Sequence, residues 1–232
     1  MIQLYSYFRS STAYRVRIAL QLKGLAYDTI PVNLVKGEQS APLYKDVNPM
    51  EAVPTLVHDG FTLSQSLAII EYLDEIAPQP RLIAGNAQEK AYIRQLSSLI
   101  ATDIHPLTNL RVLKHIAATF GADDGAKTVW YGRWARQGML AFEELLRQNG
   151  RSGDYCLGGQ VSMADLCLVP QMYNMRRYKL PVDDLPLCCR IEDHCLQQDA
   201  FQRAAPENQP DAPPDLERIH GGRPPYINPT HP

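Results

Sequence analysis

The segment VPTLVHDGFTL, residues 53–63, decides how the first part of the chain folds. Two short runs of mainly apolar and β-branched residues flank the dipeptide Asp59-Gly60. An Asp-Gly pair between such runs is a strong signal for a two-residue hairpin turn. The segment therefore predicts two antiparallel strands, at residues 53–58 and 61–63.

On either side of the hairpin, hydrophobic periods of two and of 3.6 residues alternate along the chain. They predict strands at residues 2–7 and 25–34 and helices at residues 12–23, 41–47 and 67–76. Gly24 stands where a glycine commonly ends a helix. The resulting order, β-α-β-α-β-β-α, is typical of a thioredoxin-like α/β domain, which we assign to residues 1–80.

Beyond a proline-containing linker, the pattern becomes helical and shows no credible strands. Helices are predicted at residues 87–119, 125–149, 162–178 and 187–204. Pro106 should kink or split the first of them, because proline removes a hydrogen bond and clashes with the preceding turn. Ser162 and Asp165 have the spacing of a helix-capping box, so we interpret Asp165 as structural. We expect an all-helical domain over residues 87–206 and an extended or disordered proline-rich tail over residues 207–232.

The composition excludes several classes of protein. The 232 residues carry a formal net charge of −2, whereas a nucleic-acid binder needs a concentrated cationic face. No apolar run approaches the roughly 18–20 residues of a bilayer-spanning helix. The N-terminus also lacks the charged and apolar blocks of a signal peptide. We expect a soluble, unexported protein that binds neither nucleic acid nor membrane.

The five cysteines all lie late in the chain, from Cys156 to Cys195. Their odd number does not suggest a disulfide framework. The adjacent pair Cys188-Cys189 does not fit the usual Cys-x2-Cys spacing of metal ligands. Free buried thiols in a reducing compartment, and no metal site, are the expectation.

The start of the first predicted helix is where a thioredoxin-like domain commonly carries a reactive cysteine. Here residues 9–12 read Arg-Ser-Ser-Thr, and no cysteine precedes Cys156, which excludes thiol redox chemistry by the first domain. Hydroxyl donors at a helix N-terminus favour an anion, so the position suits a thiolate that a ligand brings. Residues 1–27 contain no acidic residue and four basic ones, Arg9, Arg15, Arg17 and Lys23.

Five segments together resemble the zeta class of the glutathione transferases. They are SSTAYRVRIAL (10–20), NPM (48–50), VPTL (53–56), QSLAIIEYL (65–73) and MADLCLVPQ (163–171). The resemblance runs from about residue 2 to about residue 211. It implies a glutathione transferase architecture, reduced glutathione as cofactor, a homodimer and a cytoplasmic location.

By resemblance, Ser10 lies next to the glutathione sulfur, and Ser11 and Thr12 help to hold the thiolate. The family commonly has cysteine where Thr12 stands, so any role that needs a sulfur there is lost. Taken alone, Ser10 could be a mere helix N-cap. Tyr5 and Tyr7 are rival activators, since other transferase classes use a tyrosine at the end of the first strand, but we interpret them as core or wall residues.

The resemblance also implies how the rest of glutathione is bound. The Val53-Pro54 peptide is cis in the family, which lets the Val53 backbone pair with the cysteinyl part. Gln65 and Ser66 begin a helix, where backbone N–H groups, a hydroxyl and the helix dipole suit the γ-glutamyl carboxylate. Gln39 is expected at the glycyl end.

Two residues of the helical domain, His105 and Asn109, match positions that contact glutathione in the family. His105 could instead be an ordinary histidine beside a helix kink.

The implied reaction is a cis-to-trans isomerisation of a maleyl dicarboxylate. The glutathione thiolate adds to the double bond, rotation follows, and elimination regenerates glutathione. Arginine suits the substrate because its planar fork pairs with carboxylates. Arg9 is the leading candidate, with Arg111, Arg176 and Arg177 from the second domain. Arg15 and Arg17 lie inside a helix, and we interpret them as structural or, for Arg15, as framing the site.

Three functions of different classes follow from these residues. The leading hypothesis is an isomerase that converts maleylacetoacetate to fumarylacetoacetate in aromatic amino acid catabolism, or maleylpyruvate in gentisate degradation; the sequence does not decide between these substrates. The second is a general glutathione-conjugating transferase. The third is a non-catalytic protein of the glutathione transferase fold, used for binding or regulation, which the intact Ser10-Ser11, Val53-Pro54 and Gln65-Ser66 pairs disfavour.

Overall fold

A computed structural model describes residues 1–219 of the chain. They form two compact units. The first unit contains Met1–Leu82 and the described residues from Leu196 onward, and the second unit is Ile83–Cys195. No helix among residues 1–219 combines the length and the apolar character that spanning a bilayer requires.

The first unit is built on a four-stranded mixed sheet. Its strands are β1 (Ile2–Ser6), β2 (Tyr27–Pro31), β3 (Thr55–His58) and β4 (Phe61–Ser64), and their spatial order is β2-β1-β3-β4. Strand β1 pairs parallel with β2 and antiparallel with β3. The sheet confirms the predicted thioredoxin-like fold.

The predicted hairpin joins β3 to β4. Its two turn residues, Asp59 and Gly60, have φ angles of 48° and 84°. Positive φ at both central positions matches the right-handed twist of the flanking strands. The Asp-Gly signal therefore fixes both the turn and the pairing of Thr55 with Ser64.

The helices of the two units are close to their predicted positions. The first unit has α1 (Ser11–Leu22), α2 (Pro42–Val47) and α3 (Ser66–Ile76), and the second unit has α4 (Ala87–Ser98), α5 (His105–Thr108), α6 (Leu110–Phe120), α7 (Asp124–Asn149), α8 (Met163–Arg177) and α9 (Pro186–Cys195). A π-helical turn, Leu99–Ile104, separates α4 from α5. The split beside Pro106 confirms the expected interruption, since proline cannot continue the regular hydrogen-bond ladder.

The C-terminal part of the chain differs from the sequence prediction. Helix α10 (Asp199–Ala204) belongs to the first unit, although the predicted helical domain ran to residue 206. The physical reason is tertiary: Phe201 and Ala204 are fully buried, and the Phe201 carbonyl accepts a hydrogen bond of 3.2 Å from the Tyr14 hydroxyl of α1.

The described part of the predicted tail, residues 207–219, also differs from the extended or disordered segment that the sequence predicted. A helical turn, Pro206–Asn208, follows α10, and Ala212 and Leu216 pack against an apolar cluster of the first unit. Residues 207–219 are therefore folded on to the first unit. The remainder of the predicted tail, residues 220–232, lies outside the described residues.

Candidate active site

Helix α1 begins at the segment that the sequence singled out. Ser10 is its N-cap, with extended backbone angles, and its hydroxyl accepts a hydrogen bond of 3.2 Å from the Ala13 N–H. The first turn carries no acidic residue. Ser10 thus does cap the helix, and this structural role places its hydroxyl at the positive end of the helix dipole.

The hydroxyls of Ser10 and Thr12 form a short hydrogen-bonded chain. Thr12 Oγ1 donates to the carbonyl oxygen of Val53 at 2.9 Å, and the Ser10 and Thr12 hydroxyl oxygens are 2.9 Å apart. A hydroxyl has one proton to donate, and that of Thr12 is given to Val53. Ser10 is therefore the donor to Thr12, and its proton can turn to a stronger, charged acceptor.

Ser11 differs from its two neighbours. It is buried in the first turn of α1. Among residues 1–219 its hydroxyl makes no hydrogen bond. The three hydroxyls predicted to hold the thiolate therefore differ in their hydrogen bonds. The Ser11 hydroxyl has no partner within residues 1–219, the Ser10 hydroxyl donates to Thr12, and the Thr12 hydroxyl donates to the Val53 carbonyl.

The peptide between Val53 and Pro54 is cis, as the resemblance implied. The Val53 carbonyl accepts a hydrogen bond from the Thr12 hydroxyl of α1. The Val53 N–H forms no hydrogen bond within the described part of the chain. An unpaired backbone donor beside the hydroxyl chain can pair with an extended peptide ligand.

The N-terminus of α3 has the features of an anion site. Gln65, directly before it, has φ 75° and ψ 111° and provides no side-chain cap. A non-glycine residue in such a region costs about 1–3 kcal/mol and is commonly found at functional sites. The Ser66 hydroxyl accepts a hydrogen bond of 3.2 Å from Arg15 Nη1, which leaves the Ser66 proton for a carboxylate that the first-turn N–H groups also attract.

Gln39 lies in a separate helical turn, Glu38–Ser40. Its side chain is half-buried, and its Oε1 atom is buried with no hydrogen-bond partner in the described residues. No hydrogen bond within residues 1–219 joins it to Ser10 or Thr12, so its glycyl role stays a prediction.

Arg9 lies next to Ser10 and is half-buried. Its guanidinium carbon is 5.6 Å from the centre of the Phe8 ring. Within residues 1–219 the guanidinium forms neither a hydrogen bond nor an ion pair. A cation with five unused donors therefore stands beside the candidate thiolate site.

The two arginines inside α1 are buried, as their structural interpretation requires. Arg17 Nη1 donates to the Ser6 hydroxyl at 3.1 Å, and its Nη2 donates to the Phe8 carbonyl at 3.0 Å. Arg15, through Ser66, links α1 to α3. The contacts of Ser10, Thr12, Val53 and Ser66 thus all meet at α1.

Two predicted arginines of the second unit have partners. Arg176 Nε donates to a carboxylate oxygen of the buried Glu192 at 3.1 Å. This hydrogen bond raises the pKa of Arg176 and joins α8 to α9. The Arg177 guanidinium lies 4.4 Å from the Tyr178 ring centre, and its Nε is buried without a hydrogen bond in the described chain. Arg177 is therefore the better substrate candidate of the pair.

The other second-unit candidates lie around the break beside Pro106. Asn109 is the N-cap of α6: its side-chain Oδ1 accepts from the Val112 N–H at 3.1 Å, and its side-chain Nδ2 donates to the Pro106 carbonyl at 3.2 Å. Arg111 is exposed in the first turn of α6, and His105 begins α5. Because both polar ends of the Asn109 side chain serve the cap, its glutathione contact, like that of His105, stays a prediction.

The cysteines are free, as expected. Burial raises the pKa of the Cys156 and Cys188 thiols well above the usual range, which makes them poor nucleophiles. No group of three or more His, Cys, Asp or Glu side chains within residues 1–219 is arranged to hold a metal ion.

Residues 1–75 match the family model described as the N-terminal domain of glutathione S-transferase. A Vibrio cholerae protein named a probable maleylacetoacetate isomerase is 46% identical over 211 residues, covering 90% of this chain and 97% of that protein. A bacterial maleylpyruvate isomerase, described as a zeta-class glutathione transferase, is 40% identical with a TM-score of 0.89 over 91% of this chain and all of that one.

A third similar protein was crystallised with a ligand. It is the maleylacetoacetate isomerase of Anaeromyxobacter dehalogenans, with glutathione bound in its active site. It is 37% identical, with a TM-score of 0.82, and the match covers 92% of this chain and 98% of that one.

Proposed function

Since this chain belongs to the zeta class of the glutathione transferases, we propose that it is a glutathione-dependent cis-trans isomerase of maleyl dicarboxylates. The substrate of the leading proposal is maleylacetoacetate, converted to fumarylacetoacetate. Maleylpyruvate is the second candidate, because a similar structure bears that name. The observation that carries the proposal is the hydrogen-bonded chain that runs from the Ser10 hydroxyl through the Thr12 hydroxyl to the Val53 carbonyl. This chain lies at the N-terminus of α1, where the sequence has no cysteine.

The residues of the first unit fit glutathione. The open N–H of Val53 would pair with its cysteinyl part, and the first turn of α3 with Ser66 would take its γ-glutamyl carboxylate. Gln39 is retained for the glycyl end. When bound, glutathione supplies the thiolate that adds to the maleyl double bond and leaves after rotation.

The hydroxyls at the N-terminus of α1 stabilise the glutathione sulfur as a thiolate. Ser10 and Ser11 donate hydrogen bonds that favour the charged thiolate over the thiol, since hydrogen bonding to the charged form lowers a pKa. Thr12 holds the Val53 carbonyl in place, and the Ala13 N–H holds the Ser10 oxygen. The positive end of α1 adds to the same effect.

Arginine side chains stabilise the negative charge of the substrate. Arg9 lies beside Ser10 and has no hydrogen-bond partner within residues 1–219, so it is suited to hold a substrate carboxylate while negative charge builds on the enolate. Arg111 and Arg177 are retained as further substrate candidates, and His105 and Asn109 as glutathione contacts. Arg176 is a weaker candidate because it already pairs with Glu192.

The first prediction concerns the fate of glutathione. With maleylacetoacetate in large excess, a few per cent of glutathione should support complete isomerisation, and the free thiol should be fully recovered. Rates on both maleyl substrates, with and without glutathione, are measured together with thiol titration.

Turnover without glutathione contradicts the isomerase proposal. Stoichiometric loss of thiol, with faster reaction of an aryl halide, would favour the conjugating transferase. No heat of glutathione binding in calorimetry would favour a non-catalytic protein. The ratio of the two maleyl rates selects the physiological substrate.

The second prediction concerns Arg9. Arg9→Met should lower kcat/KM for the maleyl substrate about 10- to 100-fold, because a hydrogen bond to a charged group contributes about 1.5–3 kcal/mol. Arg9→Lys should recover only part of this, because an ammonium lacks the planar fork. Initial rates give kcat/KM, and calorimetry should give nearly unchanged affinity for glutathione.

A matched control is Arg133→Met, which removes an exposed arginine of α7. It should behave as the unmodified enzyme. If Arg9→Met and Arg133→Met had the same kcat/KM, Arg9 would not bind the substrate.

Two further properties are proposed from the resemblance. They are a homodimeric assembly and a cytoplasmic location.

A further inference from the structure

We propose that Asp211 is a positioning residue of the active site: its carboxylate holds the turn that carries Arg9 and Ser10. This inference rests on the proposed function. The Phe8 N–H donates to Asp211 Oδ2 at 2.8 Å, across 203 residues of sequence.

The turn that Asp211 holds is short and leads directly into α1. The Ser10 N–H donates to the Tyr7 carbonyl at 2.9 Å, so Phe8 and Arg9 are the central residues of a β-turn. Phe8 is therefore the residue whose backbone orients both the Arg9 side chain and the Ser10 cap. Any shift of Phe8 moves the two groups assigned to the substrate and to the thiolate.

Phe8 is held from both sides by charged side chains. Asp211 accepts from its N–H, while Arg17 donates to its carbonyl at 3.0 Å. Hydrogen bonds to charged groups are roughly twice as strong as neutral ones. The Phe8 peptide groups are thus clamped between a carboxylate and a guanidinium.

The segment that carries Asp211 is itself held by hydrogen bonds. The Gln209 side-chain amide donates to the carbonyls of Arg203 and Ala205 at 2.8 and 2.9 Å. Ala212 N–H donates to the Gln209 carbonyl at 3.0 Å. Arg17 also donates to the Ala204 carbonyl at 2.9 Å, so the end of α10 and the Phe8 turn share one anchor on α1.

Packing carries the same connection. Ala212 and Leu216 lie against the apolar cluster formed by Tyr7, Phe8, Val32, Tyr44 and Val53. The cluster includes the residue whose backbone is to pair with glutathione. The C-terminal segment therefore supports both the turn and the Val53 loop.

The two carboxylate oxygens of Asp211 differ in their hydrogen-bond partners. Asp211 Oδ1 is buried and has no hydrogen-bond partner within residues 1–219. The atom that is satisfied is the one that holds Phe8.

The test compares Asp211→Ala with Asp211→Asn, since asparagine keeps an acceptor for the Phe8 N–H. Asp211→Ala should lower kcat about 10- to 100-fold, as misplacement by about 1 Å does, and should raise the pKa of the bound glutathione thiol, followed by thiolate ultraviolet absorbance. Calorimetric affinity for glutathione should change less than about threefold. Asp211→Asn should restore most of kcat and the thiol pKa.

Asp215→Ala is the matched control, because Asp215 is an exposed acid of the same segment; it should leave kcat and the thiol pKa unchanged. The proposal is overturned if Asp211→Ala keeps the original kcat and thiol pKa, or if Asp211→Asn is as impaired as Asp211→Ala. Should Asp211→Ala not fold, Asp211→Glu carries the test: its longer side chain displaces the turn, and an unchanged kcat refutes the inference. The thiol pKa requires only glutathione binding, so a failure of the isomerase proposal is distinguishable.

Discussion

Ser10→Ala is expected to lower kcat/KM for the maleyl substrate about 10²- to 10³-fold, which is the effect of removing one preorganised donor from a developing or bound anion. Ser10 is better preorganised than Ser11, because the Ala13 N–H donates to its oxygen and fixes it at the N-terminus of α1. When a thiolate is present, the Ser10 proton leaves Thr12 for the charged acceptor. Within residues 1–219 no hydrogen bond holds the Ser11 hydroxyl, so Ser11→Ala should lower kcat/KM only about tenfold, the effect of losing one ordinary hydrogen bond.

The expected loss has to be separated from the loss of a helix cap. Removing a serine N-cap costs about 1 kcal/mol of stability, which thermal unfolding measures independently of activity. Ser10→Thr keeps both the hydroxyl and the cap and should recover most of the rate. Should Ser11→Ala prove the more damaging variant, Ser11 and not Ser10 would be the main donor to the thiolate.

Asp165→Ala is expected to lower the free energy of unfolding by about 3–5 kcal/mol, because it leaves several buried donors without a partner. Asp165 is fully buried at the start of α8. Its Oδ1 accepts from the Cys156 N–H at 2.7 Å, and its Oδ2 accepts from the N–H and the hydroxyl of Ser162, both at 2.8 Å. Burial raises the pKa of Asp165, and hydrogen bonds from Cys156 and Ser162 oppose that rise.

Such a loss is a large part of the stability of an ordinary domain, about 5–15 kcal/mol. Urea unfolding gives the free energy. Asp123→Ala is the matched control, because Asp123 caps α7 through one exposed hydrogen bond, to the Ala126 N–H, and should cost only about 1 kcal/mol. If the two variants lost equal stability, the buried network at Asp165 would contribute nothing beyond an ordinary cap.

Much of the first unit was predictable because its signals are local. The Asp59-Gly60 turn, the position of Gly24 after α1 and the alternation of strands and helices each depend on residues within a few positions of one another. Ser10 at the start of α1 could be recognised in the same way. The resemblance added the cis Val53-Pro54 peptide and the glutathione contacts, which spacing alone would not have indicated.

The sequence by itself determined the order of the strands and helices, the position of the N-terminus of α1 and the absence of a cysteine there. Tertiary structure alone decided that Ser10 donates to Thr12, that Arg9 has no hydrogen-bond partner within residues 1–219, and that Asp211 accepts from the Phe8 N–H. The physical reason is that buried polar groups must find partners wherever the fold brings them. Thr12 finds Val53 41 residues away and Phe8 finds Asp211 203 residues away, and no local pattern records either pairing.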